Sequence, residues 1–144
     1  MINIICIGKI KEKYLIDLIE DYKTRINKYH KINIIEIPDT NIDEETNKIL
    51  KYIKSNDYVI SLAIEGKQLD SVEFSKLIND TFIHYPTIDF IIGESNGLSD
   101  EIKNKSNLLL SFSKLTYPHG LFRGILLEQI YRSFKIINNE TYHK

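Results

Sequence analysis

The chain has 144 residues, of which 42% are hydrophobic and 27% charged, and its formal net charge is −1 at pH 7. This length predicts a single domain, residues 1–144, with a core that needs no disulfide or metal to hold it together. Judged by its net charge alone, the chain is not a nucleic-acid binder. Its lone cysteine, Cys6, cannot form an internal disulfide. Neither a signal-peptide pattern nor an apolar run of membrane-spanning length is present, so we expect a cytoplasmic protein without a membrane partner.

The first half of the chain alternates short β-branched runs with helical periodicity. INIICI at 2–7 predicts a strand, and apolar residues at helical spacing predict a helix over 14–27. INIIEI at 32–37 predicts a second strand, which a weaker helical pattern follows at 43–54. YVISLAI at 58–64 predicts a third strand.

The second half continues the alternation with clearer helix signals. Asp70 and Glu73 have the spacing of a capping box, and Ser99 is placed to cap a short helix. The predicted elements, in chain order, are a helix at 70–83, a strand at 88–93, a helix at 100–105, a strand at 108–112 and a helix at 120–137.

Five strands that alternate with helices predict a three-layer α/β domain with a mostly parallel sheet. In such sheets ligands bind outside the carboxyl ends of the strands. The loops 64–70, 93–99 and 113–119 follow three predicted strands and are therefore the candidate ligand-binding loops.

Two of these loops contain glycines. In GESNG, Gly93 allows close approach to a ligand and Gly97 allows a positive φ, but a tight strand-to-helix turn explains the same residues equally well. AIEGKQL at 63–69 is a similar glycine-containing turn, for which an ordinary turn is favoured over a ligand-binding role. The dinucleotide and P-loop glycine motifs are absent from the sequence.

The histidines and the carboxyl terminus supply the candidate polar chemistry. The four histidines lie far apart without metal-ligand spacing, so we predict no metal site. His119, between Pro118 and Gly120, is either a solvated surface residue or a group that titrates beside a strand end. The terminal residues 142–144, YHK, are either a frayed end or a tail that stacks on bases and binds phosphate.

Three separated motifs carry a family resemblance: DFIIGESNGLSDEI, LLLSFSKLTYPHGLFRGILLEQIYRSFKI and the terminal YHK. Together they resemble the ribosomal RNA large-subunit methyltransferase H family, of the SPOUT class, along the whole chain. The resemblance implies an α/β fold with a carboxyl-terminal trefoil knot, S-adenosylmethionine as cofactor and a homodimer with active sites at the subunit interface. It also implies methylation of N3 of a pseudouridine in helix 69 of 23S rRNA on the assembled ribosome.

The resemblance carries over a cofactor site that surrounds the loop after the fifth strand. This site comprises Leu62, Gly93, Phe112, Ser113, Lys114, Leu115, Thr116 and Tyr117. The chain departs from the family pattern at Glu94, where a second glycine is expected after Gly93.

For catalysis, the N3 imide must lose its proton, so either a general base or cations that stabilise the anion are needed. His119 and His143 are the candidate bases, and Arg123, Arg132 and Lys144 are the candidate cations for charge stabilisation or for phosphate contacts. Charge stabilisation is favoured over a base because the sequence displays no carboxylate–histidine pairing. Two alternatives stay open: a ribosome-associated RNA-binding protein without activity, and a flavodoxin-like domain that binds a small ligand.

RNA binding is assigned to the carboxyl-terminal residues Arg132, Tyr142, His143 and Lys144. Deleting the last three should leave thermal stability nearly unchanged if they contact only RNA. A homodimer is also expected from the last helix, where Leu121, Ile125, Leu127 and Tyr131 lie outside the main apolar stripe.

Overall fold

The structure is a computed structural model that describes residues 1–94 and 97–143. All ten predicted elements are present, and their bounds agree with the predictions to within two residues except at the third strand. In chain order the elements are β1 (Ile2–Ile7), α1 (Lys13–Asn27), β2 (Ile32–Ile37), α2 (Ile42–Tyr52), β3 (Tyr58–Gln68), α3 (Ser71–His84), β4 (Ile88–Ile92), α4 (Asp100–Lys105), β5 (Leu108–Ser111) and α5 (His119–Ile137).

The five strands form one parallel sheet in the order β2-β1-β4-β3-β5. Helices α1, α3 and α5 pack on one face of the sheet, and α2 and α4 pack on the other. Every residue of the central strand β4 is buried, as expected for a strand covered on both faces. The predicted three-layer α/β architecture is therefore confirmed, whereas the trefoil knot stays a prediction.

The predicted helix caps form as the sequence indicates. The Asp70 side chain accepts from the backbone N–H of Glu73 at 2.7 Å, and the Glu73 carboxylate accepts from the Asp70 N–H at 2.9 Å. Ser99 Oγ accepts from the N–H of Ile102 at 3.3 Å. These caps fix where α3 and α4 begin, and so they fix the ends of the loops that precede them.

Strand β3 is longer than predicted, and the expected turn at 63–69 is wrong. Leu62 and Lys67 both lie opposite Leu110 of β5, so residues 63–66 bulge out of the ladder before the strand resumes. A Cβ on Gly66 would lie 2.6 Å from the backbone carbon of Leu109. Gly66 therefore serves close contact between two strands, and after the bulge β3 pairs with β5 again through Lys67 and Gln68.

Helix α5 is buried on two sides by its own chain, between α1 and α3. Leu127 and Tyr131 are only 0% and 8% exposed, so they belong to the core of the protomer and are no argument for a dimer. Leu121, at 39% exposed, is still available to a partner. Although α5 has 19 residues, no helix of the described ranges is long and apolar enough to cross a membrane.

Candidate active site

A cavity of about 530 Å³ lies where β3, β4 and β5 end. Parallel strands end at the same edge of their sheet, so the three candidate loops converge there as the sequence predicts. Residues of the β3 bulge, the β4–α4 turn and the β5–α5 loop line this cavity. Its volume lies within the roughly 300–1,000 Å³ that is usual for small-ligand sites.

The floor and one wall of the cavity are apolar and well supported. Phe112 packs edge-on against Phe74 and Phe122, with ring centroids 5.9 and 5.2 Å apart. Tyr117 stacks on Phe122 at 5.9 Å. These contacts hold the β5–α5 loop against the core, so the loop presents a preformed wall to a ligand.

Seven of the eight predicted cofactor residues line the cavity: Leu62, Gly93, Phe112, Ser113, Leu115, Thr116 and Tyr117. Lys114 is exposed and is not among the lining residues. Ser113 shapes the loop, because its Oγ accepts from the N–H of Leu115 at 2.9 Å. Family membership, fold and this convergence agree with the predicted cofactor site, whose individual residues stay predictions.

The β3 bulge adds three lining residues, Ala63, Ile64 and Glu65, which the sequence analysis did not name individually although the candidate loop 64–70 includes two of them. Glu65 Oε1 pairs with Lys103 Nζ at 2.7 Å, and Lys103 also lines the cavity. This pair lowers the pKa of Glu65 through the hydrogen bond from Lys103. The only sequence signal was Gly66, whose role depends on the neighbouring strand and is not visible in the local pattern.

The β4–α4 turn is tight because of its own backbone. A Cβ on Gly93 would lie 2.8 Å from the carbonyl carbon and oxygen of Gly97, so this glycine serves the turn itself. Gly97 has φ +74, as predicted, and a Cβ there would meet no atom of the described residues within 4 Å. Ser95 and Asn96 of the GESNG motif lie outside the described residues. Glu94 has no positive φ, so a side chain at this position is compatible with the turn.

Glu94 and His119 form a carboxylate–histidine pair at the edge of the cavity. His119 Nδ1 lies 2.8 Å from Glu94 Oε1, and the two side chains are 43% and 17% exposed. A carboxylate only accepts hydrogen bonds, so Nδ1 carries the proton and Nε2 is the acceptor of the neutral ring. The sequence analysis favoured charge stabilisation over a base because it found no carboxylate–histidine pair. That premise is wrong, since Glu94 and His119 are distant in sequence and meet only in the fold.

Gly8, directly after β1, completes the neighbourhood of this pair. It has φ +93, and a Cβ there would lie 3.2 Å from Glu94 Oε2 and 3.6 Å from His119 Nε2. The missing side chain therefore leaves room at the nitrogen that can accept a proton. The β1–α1 loop, the β4–α4 turn and the start of α5 meet at this point.

Arg123, the predicted catalytic cation, is buried beneath the site. Its side chain is 3% exposed, Nη1 donates to Glu36 Oε2 at 2.7 Å, and Nη2 donates to the Gly8 carbonyl at 3.2 Å. Arg123 is not among the residues that line the cavity. It holds the end of β1 in place, so the prediction that it contacts the reacting atoms is wrong.

The carboxyl-terminal tail is docked on α5. The Tyr142 ring packs edge-on against Tyr131 with centroids 4.9 Å apart, and its hydroxyl donates to Glu128 Oε2 at 2.8 Å. Arg132 lies 4.9 Å from the centre of the Tyr142 ring and 3.0 Å from His143 Nδ1. Burial raises the pKa of Tyr142. The tail therefore contributes to the fold, which contradicts the expectation that its deletion leaves stability unchanged.

The predicted RNA-binding residues do not reach the cavity of their own chain. His119 begins α5 and Arg132 lies in its last third, which separates them by about 20 Å since each helical residue adds ~1.5 Å. Tyr142 and His143 lie beside Arg132, and Lys144 lies outside the described residues. A catalytic role for His143 therefore requires a site other than the cavity of the same protomer.

Fold and cavity together define an α/β protein with a preformed ligand site at the carboxyl edge of a parallel sheet. The model of the family described as "Predicted SPOUT methyltransferase" matches residues 1–143, so the chain belongs to the SPOUT methyltransferase family. This confirms the resemblance noted in the sequence, and it supports S-adenosylmethionine as the methyl donor.

More particular likeness comes from curated relatives. A ribosomal RNA large subunit methyltransferase H of Clostridium botulinum is 49% identical over 99% of both chains. A Methanococcus vannielii protein named "Putative ribosomal RNA large subunit methyltransferase H" is 52% identical, also over 99% of both chains.

Solved structures agree on the fold at much lower identity. A "probable methylase family protein" from Haemophilus influenzae superposes with a TM-score of 0.61 at 13% identity, covering 99% of this chain and 70% of that one. The SpoU methyltransferase AviRb of Streptomyces viridochromogenes, in complex with AdoMet, gives a TM-score of 0.51 at 11% identity and covers 92% of this chain and 57% of that one.

Proposed function

We propose that this protein is an S-adenosylmethionine-dependent methyltransferase of large-subunit rRNA that methylates N3 of a pseudouridine in helix 69 of 23S rRNA on the assembled ribosome. The observation that carries the proposal is the convergence of the β3 bulge, the β4–α4 turn and the 112–117 loop around one preformed cavity. Full-length likeness to rRNA methyltransferase H proteins supports the substrate. The cytoplasm, where ribosomes work, is the proposed location.

The cavity residues are suited to a nucleoside-containing cofactor. Leu62, Leu110 and Phe112 give an apolar slot for an adenine ring, while the backbone of 112–117 offers polar groups at its rim. Open space in front of Gly97 lets a ligand approach the turn closely. S-adenosylmethionine bound here would supply an electrophilic methyl group on a sulfonium.

The residues of this chain must then orient the acceptor and manage its proton. As the N3 lone pair forms a bond to the methyl carbon, the N3–H proton has to leave, and the sulfonium departs as a neutral thioether. His119 Nε2 is the group available to accept that proton, since Glu94 holds Nδ1 protonated. Glu94 also stabilises the imidazolium that forms, as an orienting carboxylate does beside other histidine bases.

The predicted cations play a smaller part in this proposal than the sequence suggested. Arg123 is paired with Glu36, and Arg132 is paired with Glu128 at 2.8 Å and lies under the tail. Arg132, Tyr142 and His143 can contribute to a reaction at the cavity only if they belong to a second protomer. We therefore propose a homodimer in which the tail of one chain serves the acceptor of the other.

Exposed apolar side chains near the cavity support an interface there. Leu115 is 72% exposed and Ile64 is 53% exposed, and both line the mouth of the cavity. Together with Leu121 on α5 they offer apolar area that a partner would cover. Light scattering at micromolar concentration should give the mass of a dimer, and a monomer would contradict this arrangement.

Cofactor binding is tested by filling the cavity. Thr116 is exposed and lines the cavity, so Thr116→Trp should abolish S-adenosylmethionine binding in calorimetry without unfolding the protein. Lys114→Trp is the matched control, because Lys114 is exposed in the same loop but does not line the cavity. Undiminished affinity in the Thr116 variant would overturn the assignment of this cavity.

The reaction is tested on ribosomes. Wild-type protein with labelled S-adenosylmethionine should methylate one 23S nucleotide, and mass-spectrometric mapping should place the methyl group on N3 of a pseudouridine in helix 69. Binding of the cofactor and of ribosomes without methyl transfer would instead indicate the alternative, an RNA-binding protein without activity.

A further inference from the structure

A second cavity, of about 300 Å³, lies beside the first and belongs to the β1–α1 loop. Its lining includes Lys9 and Lys11 from that loop, Tyr14 from the first turn of α1, and Pro118 and His119 where α5 begins. Pro118 and His119 line the first cavity as well. His119, the proposed base, thus lies where the two cavities meet. The first cavity, proposed to bind the methyl donor, is on one side of it, and the β1–α1 loop is on the other.

The loop carries two lysines that have no ionic partner among the described residues. Lys9 and Lys11 are exposed, and no carboxylate of residues 1–94 or 97–143 lies within ion-pair distance of either. Four other lysines do have an ionic partner: Lys13 with Asp17, Lys76 with Asp80, Lys103 with Glu65 and Lys135 with Glu140. Glu12 also lines the second cavity, so its rim carries two positive charges against one negative charge.

An exposed aromatic ring stands beside these lysines. Tyr14 is 71% exposed although its neighbour Leu15 is buried at 6%. A tyrosine this exposed contributes little to the core of its own chain. A ring next to unpaired cations is the combination that single-stranded nucleic acid uses, since bases stack on the ring and phosphates bind the cations.

The backbone of the loop is held in place from below, so the positions from which its side chains project are fixed. Arg123 donates to the Gly8 carbonyl, and the N–H of Ile10 donates to Glu36 at 3.4 Å. Ile10 and Leu15 are buried, and a Cβ on Gly120 would lie 3.1 Å from Leu15 Cδ1. This explains why a buried arginine lies beneath the site: it fixes the backbone that carries Lys9 and Lys11.

We propose that Lys9, Lys11 and Tyr14 bind the RNA acceptor: the lysines contact two backbone phosphates, and Tyr14 stacks on a base that flanks the target nucleotide. The inference rests on the proposed function, because it takes the acceptor to approach His119 from the side opposite the methyl donor. RNA is the favoured occupant since the cavity adjoins the reacting site, carries excess positive charge and offers a stacking surface. The site lies at the amino-terminal end of the chain, far from the tail to which the sequence analysis assigned RNA binding.

The first test removes the two charges. In the Lys9→Ala/Lys11→Ala double variant, affinity for a fluorescently labelled RNA hairpin with a pseudouridine-containing loop should fall at least about tenfold at 0.15 M salt. The slope of log K against log[salt] should fall by roughly 1.4, since each lost phosphate contact on a single strand removes about 0.7. Calorimetric affinity for S-adenosylmethionine should stay unchanged, because neither lysine lines the first cavity.

The matched control removes two charges elsewhere. Lys28 and Lys51 are exposed near the carboxyl ends of α1 and α2, which lie at the opposite edge of the sheet because helices run antiparallel to the strands they connect. Lys28→Ala/Lys51→Ala should retain wild-type hairpin affinity and salt slope. An equal loss of hairpin affinity in both double variants would overturn the proposal, because the loss would then result from the change in net charge and not from these two positions.

The second test addresses stacking. Tyr14→Ala should weaken hairpin binding about tenfold, and Tyr14→Phe should restore it, because the ring and not the hydroxyl is used. Equal hairpin affinity of wild type and both variants would overturn the proposal. If Tyr14→Ala weakened hairpin binding only because the wild-type dimer became a monomer in light scattering, the proposal would also be overturned, and Tyr14 would belong to a protein interface. Failure of the proposed function itself would be recognised separately, since wild-type protein would then transfer no methyl group to ribosomes.

Discussion

Asp89 is a buried carboxyl whose ionisation should control stability. It is 0% exposed in the central strand β4, and its Oδ1 accepts from Asn3 Nδ2 at 2.9 Å. Oδ2 has no hydrogen-bond donor in the described part of the chain, because its polar neighbour is the carboxyl of Asp57. Burial, with a smaller contribution from Asp57, raises the pKa of Asp89 to about 7.

The sign of the effect follows from the two pKa values. Between the ordinary value of 3.8 and about 7, the folded protein keeps the proton that the unfolded chain has lost. Unfolding then releases a proton, so the free energy of unfolding falls as pH rises, by up to about 1.36 kcal/mol per pH unit. From pH 5 to pH 7 this amounts to roughly 2 kcal/mol.

The substitution Asp89→Asn should remove this dependence. An asparagine amide can donate to Asp57 and accept from Asn3, as the protonated carboxyl does, but it cannot become charged. The variant should therefore match wild type near pH 5 and exceed it by roughly 2 kcal/mol near pH 8, where the wild-type protein must bury a charge.

Urea unfolding at pH 5, 6, 7 and 8 measures this difference, and taking variant minus wild type cancels the other titrating groups. Asp39→Asn, at an exposed site, is the control and should give a difference that does not vary with pH. A constant difference for Asp89→Asn, or one that favours wild type as pH rises, would refute the reasoning that the carboxyl is buried in its neutral form.

Three further perturbations test the strand contact, the histidine pair and the tail. Gly66→Ala should cost about 1–3 kcal/mol in urea unfolding because its Cβ would meet the β5 backbone at 2.6 Å, whereas Gly97→Asn, at an open site with positive φ, should cost less. Glu94→Gln should lower kcat on ribosomes by at least tenfold with unchanged cofactor affinity, since it weakens the orientation of His119. An unchanged kcat would contradict the assignment of His119 as the general base. Tyr142→Phe should lower stability by about 1.5 kcal/mol through loss of a hydrogen bond to a carboxylate, and an unchanged melting temperature would contradict the docked tail.

The local pattern predicted the elements well because each depends on near neighbours in sequence. The run IDFII is apolar at every position except Asp89, and such a nearly continuous apolar run indicates a strand buried on both faces. The capping pair Asp70 and Glu73 lies within one helical turn, so its hydrogen bonds could be foreseen from spacing. The location of the ligand site also followed, since strand ends gather at one edge of a parallel sheet.

The roles of single side chains could not be foreseen in the same way. The sequence offered Arg123 as a free cation and Glu94 as a departure from a glycine pattern. In the fold Arg123 is buried against Glu36, and Glu94 pairs with His119. Both outcomes depend on which loops the sheet order brings together, and the local pattern carries no information about that.

By itself, then, the sequence determined the α/β alternation, the family and the edge of the sheet where the ligand site lies, because these follow from periodicity and from motifs of adjacent residues. Only the tertiary structure decided that Gly66 serves a strand contact, that the tail is docked and that the β1–α1 loop adjoins His119. The physical reason is range: propensity and capping act over a few residues, whereas burial and ion pairing depend on segments that are distant in sequence and meet only after folding.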